Sequence, residues 1–393
     1  MINSKLQNMN ILKTGVLLLV MGMVAGCTAR KATTETSHAA FAPLVDAAAT
    51  AETKALYANM HRLAAEGKVL FGHQHATEYG HGWSGDPNRS DVASVTGSHP
   101  AVIGVDFIDF TGRPAAVTEK AKQALKKNVE ATYNRGGITT VAWHFSNPVS
   151  GGGFYWVDTV SKPAVRYIIP GGEAHDKYKE ILRSIGQWAN SVVGADGKKV
   201  PMIFRPFHEF DGGWFWWGAP HATRDEFISL WRFTVSYLRD SLNVHNFIYA
   251  FSPDNRFNSE AEFLERYPGD AWVDMVGMDN YGDMGRDGRY NVEAAIKKLK
   301  IVSDYAAKKG KLAAFTETGL ESIPNTSWWT DVLLRVLKTE GMRMSYVLVW
   351  RNDEKSPTHY YAPFPGHPSV PDFMKFYNDG KTVFEKDLPP MYK

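Results

Sequence analysis

Short runs of apolar, β-branched and aromatic residues recur along the chain, and a longer stretch with helical spacing follows most of them. The strand-like runs are Val69–Gly72, Ala101–Phe107, Gly137–Phe145, Val200–Phe207, Asn246–Ser252, Val273–Tyr281, Leu312–Thr316 and Ser345–Trp350. The helix-like stretches are Glu119–Asn134, Tyr178–Val193, Arg224–Asp240, Val292–Lys309 and Thr330–Thr339, with apolar residues three and four apart. Ile228, Trp231, Val235 and Leu238 form one such stripe. Eight strand signals alternating with helices predict an α/β chain folded as a single (β/α)8 TIM barrel over residues 46–393.

The first 26 residues follow another pattern. Lys5 and Lys13 flank the start of an apolar run, Val16–Val24, that is too short to span a bilayer as a helix of about 20 residues. It ends at Val24-Ala25-Gly26-Cys27, small residues before the only cysteine of the chain. This stretch resembles a bacterial lipobox. The resemblance implies a lipoprotein signal peptide over 1–26, cleavage before Cys27 and lipidation of Cys27, with a membrane partner through that anchor. Thr28 in place of Asp favours the outer membrane of the bacterial cell envelope. Residues 27–45, rich in Ala, Thr and Ser, read as a flexible tether.

Composition narrows the function. A formal charge of +2 and the lack of a dense Lys/Arg run argue against a nucleic-acid partner. One cysteine allows no intrachain disulfide. The unusual figure is the aromatic content, 13%, with several of the 12 tryptophans in polar, Gly-rich stretches where a core role fits poorly.

The strand runs end in residues that a core does not need: Gly72-His73-Gln74-His75, Asp106-Phe107-Ile108-Asp109, Trp143-His144, Arg205-Pro206-Phe207-His208-Glu209, Asp279-Asn280-Tyr281, Thr316-Glu317-Thr318-Gly319 and Trp350-Arg351. In a barrel of this kind the C-terminal strand ends converge on the active site. Glu209 and Glu317 close the fourth and seventh runs. A pair of carboxylates facing one another across a barrel mouth is what glycoside hydrolysis requires: one protonates the leaving oxygen, the other attacks the anomeric carbon or activates water. Trp214, Trp216 and Trp217 beside Gly212 and Gly213 are expected to form exposed platforms for sugar rings.

Arg205-Pro206-Phe207-His208-Glu209, followed by Gly212-Gly213-Trp214-Phe215-Trp216-Trp217-Gly218, resembles the acid/base signature of glycoside hydrolase family 26, and Thr316-Glu317-Thr318-Gly319 resembles its nucleophile signature. The resemblance runs from about Leu56 to Tyr377. It implies a retaining β-mannanase barrel, with Glu209 as acid/base and Glu317 as nucleophile. It further implies that His144, His208, Tyr281 and Trp350 line the −1 sugar, that Trp214 and Trp156 serve the acceptor side, and that Arg351 reaches −2. Arg205 is a candidate for holding Glu317 as an anion, and Asp279 for orienting its neighbours. The implied substrate is β-mannan or manno-oligosaccharide, acted on by a monomer with no cofactor.

Three other readings fit parts of the sequence. His73 and His75, with His81 and His144, offer imidazoles to a metal, but the spacing matches no strong metal motif, and no metal is expected. A non-catalytic glycan-binding lipoprotein would share the aromatics, yet has no need for both glutamates. Within the family, the substrate could instead be mixed-linkage glucan or xylan, and the attack exo, releasing mannobiose.

Overall fold

The computed structural model describes residues 41–393. The eight predicted runs form eight buried strands: β1 (Val69–Gln74), β2 (Val102–Asp106), β3 (Ile138–Trp143), β4 (Met202–Pro206), β5 (Phe247–Phe251), β6 (Met275–Asp279), β7 (Leu312–Thr318) and β8 (Tyr346–Val349). They pair in parallel and in chain order, and β8 returns to β1 through Leu70↔Tyr346 and His73↔Val349. The sheet therefore closes and these eight strands leave no open edge.

The main helices are α1 (Ala51–Ala65), α2 (Ala115–Asn134), α3 (His175–Ser191), α4 (Arg224–Ser236), α5 (Val292–Lys309) and α6 (Val370–Tyr377). A capping box starts α4, with Thr223 and Glu226 each satisfying a backbone donor of the other. The stretch Thr330–Thr339 differs from expectation: it is a π-helical segment, Trp329–Leu334, that runs into a short α-turn, Arg335–Leu337. Two small strand features carry too little pattern to show in sequence. One is the hairpin of Tyr79–Gly80 with Trp83–Ser84; the other is Thr382–Val383, which pairs with β1 outside the barrel.

Strand alternation sorts the core. Leu70, Ile138, Ile203, Ile248, Met275, Leu312 and Tyr346, from seven of the strands, meet in one apolar cluster with Leu56, Tyr57 and Met60 of α1. Their sequence neighbours Phe71, Phe204, Tyr249, Val276, Ala313 and Val347 pack in the other cluster, with helix residues such as Leu182, Trp231 and Val302. Each buried aliphatic side chain contributes about 1.5–3 kcal/mol. Helix α1 lies at the N-terminal ends of the strands, since Thr50 N–H donates to His245 O at 2.9 Å and Tyr57 Oη to Asp274 O at 3.4 Å. The floor is thus sealed by hydrocarbon, and polar side chains gather at the opposite end.

The segment entering α1 is tied to that floor. Ala42 N–H donates to Gly310 O at 2.8 Å, Val45 N–H to Asp274 Oδ1 at 2.6 Å, and Asp46 pairs with His245 at 2.8 Å. Residues 42–45, the last of the expected tether, therefore belong to the folded unit. The expected signal peptide and Cys27 lie outside the described residues.

Candidate active site

The turn after β4 sets the first carboxylate. Phe207 and Glu209 both have positive φ, +52° and +53°. Such a conformation costs about 1–3 kcal/mol for each non-glycine residue and persists only when its surroundings enforce it. Here the Phe207 ring is buried in the core, and Glu209 N–H donates to Ser252 O at 3.0 Å. The result is a half-buried Glu209 whose Oε2 accepts the Trp214 indole N–H at 2.6 Å. Gly212 makes room for that indole: a Cβ there would come within 2.3 Å of it.

The second carboxylate depends on a break in register. Across from β6, Met278 pairs with Phe315 but Asp279 pairs with Glu317, and β8 sees the same extra residue between Phe315 and Thr318. This is a β-bulge at Thr316–Glu317. Ala314 belongs to the inner cluster and Phe315 to the helix-facing one, so plain alternation would turn Thr316 inward and Glu317 outward. The bulge brings both to the barrel interior. Thr316 Oγ1 donates to Asp279 Oδ1 at 2.6 Å, above Gly277, where a Cβ would meet the Thr316 side chain at 2.5 Å. Glu317 accepts from Arg205 Nη2 on one oxygen and from Tyr281 Oη at 3.0 Å on the other. Arg205 also donates through Nη1 to Asp279 Oδ2 at 2.8 Å and to Ser252 Oγ at 3.1 Å.

Glu209, Asp279 and Glu317 each bring a carboxylate oxygen within 4.8 Å of the others. Three carboxylates face one guanidinium, so the group holds excess negative charge unless one keeps its proton. Glu209 and Asp279 are both pushed well above the ordinary carboxylate range: Glu209 by burial first and then by the charges of Asp279, Glu317 and Asp254, with the Trp214 hydrogen bond opposing, and Asp279 by burial first, with Arg205 opposing. Asp279 has the guanidinium and the Thr316 hydroxyl to support its anion, whereas Glu209 has only the indole. Burial disfavours charge on Arg205, but Asp279 and Glu317 more than offset it and hold the guanidinium above its ordinary value. His208 is driven well below the ordinary histidine range by burial, Arg205 and His144, which makes it a neutral imidazole.

Among the described residues this trio is the only grouping with metal-ligand spacing. Its donors do not fit a resident cation: both oxygens of Glu317 and both of Asp279 already accept from Arg205, Tyr281 or Thr316, and the guanidinium supplies the positive charge. Among the described residues the histidines of the metal reading form no ligand cluster. His75 pairs with Glu78, His144 with Asp106, and His81 stacks on Phe364 at 3.8 Å.

Around the trio stand the remaining expected residues. His144 donates its backbone N–H to Asp106 Oδ1 and its Nδ1–H to Asp106 Oδ2, which fixes that nitrogen as the donor, and it meets His208 edge-on at 4.6 Å and Trp350 at 5.8 Å. His208 Nδ1 is buried with no hydrogen-bond partner, a state that costs about 1–3 kcal/mol until a ligand supplies one. Trp350 and Arg351 line a cavity of about 620 Å³ with His75, Tyr79, Asp106 and Tyr155. Arg351 is already paired there with Asp353 at 2.5 Å. Trp156 lies on the other side, stacked on His221 at 3.7 Å, with its backbone N–H bonded to Trp214 O.

Trp216 and Trp217 depart from expectation. Both are fully buried, and their indole N–H groups donate to Phe145 O and His208 O. They brace the β4 turn from behind; of the three, only Trp214 is partly open. Asp106 and Tyr155 join the site without a role assigned from sequence. A carboxylate at a strand end was the visible signal for Asp106, whereas Tyr155 sits in a loop whose path sequence does not give.

The model of glycosyl hydrolase family 26 matches residues 45–331. The chain belongs to that family of glycoside hydrolases. It is 33% identical over 358 residues to the mannan endo-1,4-beta-mannosidase of Bifidobacterium adolescentis, covering 86% of this chain and 35% of that protein. The chain thus spans about a third of the length of that relative. The corresponding Bacillus subtilis enzyme is 27% identical over 67% of this chain and 69% of its own length. Among solved structures, the GH26C protein of a Muricauda species superposes with a TM-score of 0.83 at 39% identity, covering 89% of this chain and 96% of that one. A GH26 beta-mannanase from Bacteroides ovatus gives 0.80 at 38%, covering 88% and 98%.

Proposed function

We propose that this chain is a retaining β-1,4-mannan hydrolase, with Glu209 as acid/base and Glu317 as nucleophile. The observation that carries the reading is that Glu209 and Glu317 each bring a carboxylate oxygen within 4.8 Å of one of the other's, close approach on the retaining side, together with their unlike partners. Retaining glycosidases hold the pair about 5–5.5 Å apart, whereas inverting ones need about 6.5–9.5 Å to admit water between carboxylate and sugar. Mannan is the favoured substrate, and endo attack the favoured mode, because the Bifidobacterium and Bacillus relatives are mannan endo-1,4-beta-mannosidases.

In the first step Glu317 attacks the anomeric carbon while protonated Glu209 gives its proton to the leaving oxygen. The covalent ester removes the negative charge of Glu317, which relieves one of the charges that raise Glu209. Glu209 then ionises more readily and takes a proton from the water that opens the ester. Neutral His208, with its unpartnered nitrogen, and His144, fixed by Asp106, hydrogen-bond the sugar in the −1 position. Trp350 lies beneath that sugar. Trp214 and Trp156 serve the acceptor side, and Arg351 the −2 side.

The stereochemistry of the first product tests the mechanism. Proton NMR of early hydrolysis of manno-oligosaccharide should show the β-anomer first; α-anomer first would establish inversion and remove the covalent role of Glu317.

The same proposal places the enzyme on the outer membrane of a bacterial envelope as a monomeric lipoprotein, lipidated at Cys27 after removal of residues 1–26. The sequence Val24-Ala25-Gly26-Cys27 supports it. Cys27→Ser should move the protein from membranes to the soluble fraction, or halt its maturation, and leave the barrel active. Unchanged partition into membranes would refute the anchor.

A further inference from the structure

Tyr155 is the most exposed large aromatic among the described residues, at 57% exposure. It sits on the loop after β3, and that loop is held in place. Tyr155 forms an antiparallel bridge with Phe215; on either side of it Trp156 N–H donates to Trp214 O at 2.7 Å and Trp216 N–H to Phe154 O at 3.3 Å. These bonds run from the β3 loop to the β4 loop that carries Glu209. They involve only backbone atoms, so they do not depend on the Tyr155 ring.

The side chains on either side are already used. Phe154 meets His144 edge-on at 4.7 Å, and Trp156 stacks on His221 and donates its indole N–H to Asp158 at 2.6 Å. Tyr155 has the Phe215 ring nearly parallel to it at 5.6 Å, and it lines the 620 Å³ cavity with Trp350 and His144. Both catalytic carboxylates act on its phenol: burial raises it first, and Glu209 and Glu317 raise it further. The ring packs on Phe154 at 4.5 Å and on Phe215, yet more than half of it stays open beside the cavity, an exposure that packing alone does not require.

We infer that Tyr155 is a substrate-binding residue on the glycone side of the cleavage point, its open face stacking on the C–H face of a pyranoside ring opposite Trp350. This rests on the retaining-hydrolase reading of the same cleft. The ring face makes the contact, because its flat apolar body is what the neighbouring rings of Phe154 and Phe215 hold in place.

The test compares Tyr155→Ala and Tyr155→Phe with the wild-type full chain on nitrophenyl β-mannobioside, whose two sugars fill the glycone side. Loss of one stacked ring should raise KM of Tyr155→Ala about tenfold, while kcat changes less than KM. Tyr155→Phe should stay near wild type. Thermal unfolding of both variants should match wild type, as expected for a solvent-exposed ring on a backbone-bonded loop. Should Tyr155→Ala unfold early, Tyr155→Leu replaces it, and mannobiose titration followed by NMR reads affinity directly. An unchanged KM and mannobiose affinity without the ring overturns the inference while the hydrolase reading stands. Equal losses in Tyr155→Phe and Tyr155→Ala also overturn it, since the hydroxyl would then be the contact. A wild-type protein with no turnover on this substrate overturns the mannoside reading, and this inference with it.

Discussion

The turn after β4 and the end of β7 each present one carboxylate to the same few ångströms of space, and they are built in opposite ways. Glu209 stands on a turn with two positive φ angles, half-buried, and accepts one hydrogen bond from a neutral indole. Glu317 stands inside a strand, 4% exposed, and accepts from a guanidinium and a phenol. On the proposed mechanism the difference separates an acid from a nucleophile. A carboxyl group that must give and take a proton is left near other negative charges with weak support for its anion. One that must attack carbon is given a cation and held still by two donors. Arg205 enforces the split, because it comes from β4 yet spends its charge on β6 and β7 and not on Glu209.

The most direct way to break this comparison is to remove one carboxylate at a time. Glu317→Ala should lower kcat on every mannoside by a factor on the order of 10⁴–10⁶, since no covalent intermediate can form. With azide it should yield an α-mannosyl azide by single displacement. Glu209→Ala should lose about 10²–10⁴-fold on mannan but much less in the first step with an aryl mannoside, whose leaving group hardly needs a proton. A burst followed by slow turnover is expected there, and azide should restore the second step and give the β-azide. Equal leaving-group dependence in both variants would erase the distinction.

The charge at the centre can be removed next. Arg205→Met leaves Asp279 and Glu317 buried without their cation, a loss that typically costs 3–5 kcal/mol. Thermal unfolding should move down clearly, and activity should fall with it. Normal stability in this variant would mean that the two carboxylates are neutral in the folded protein.

The smallest effect sharpens the comparison. The Trp214 N–H favours the ionised form of Glu209, so Trp214→Phe should raise the Glu209 pKa further. The acid form of Glu209 is lost as pH rises, so the alkaline limb of kcat/KM on mannan should shift to higher pH. With an aryl mannoside that needs no acid, that limb should not move. A shift toward lower pH would show that the indole restrains the proton in some other way.

The amino-acid sequence by itself determined which residues meet. Eight apolar runs at barrel spacing fix which strand ends lie at the mouth, and Arg205, Glu209, Asp279, Tyr281 and Glu317 all sit at those ends. That much is legible because strand order and polar strand ends are local patterns. Tertiary structure decided how they meet. The bulge that turns Glu317 inward beside Thr316 is a mismatch between β7 and both of its neighbours, and one strand's sequence does not record it. Trp214, Trp216 and Trp217 look alike in a Gly-rich run, yet two are buried braces and one bonds Glu209. Tyr155 comes into the cleft through backbone bonds to a loop about sixty residues away. The bulge and the Tyr155 bridge join atoms far apart along the chain, which only closure of the barrel brings within reach; the tryptophans are sorted by a turn whose two positive φ angles the surrounding fold enforces.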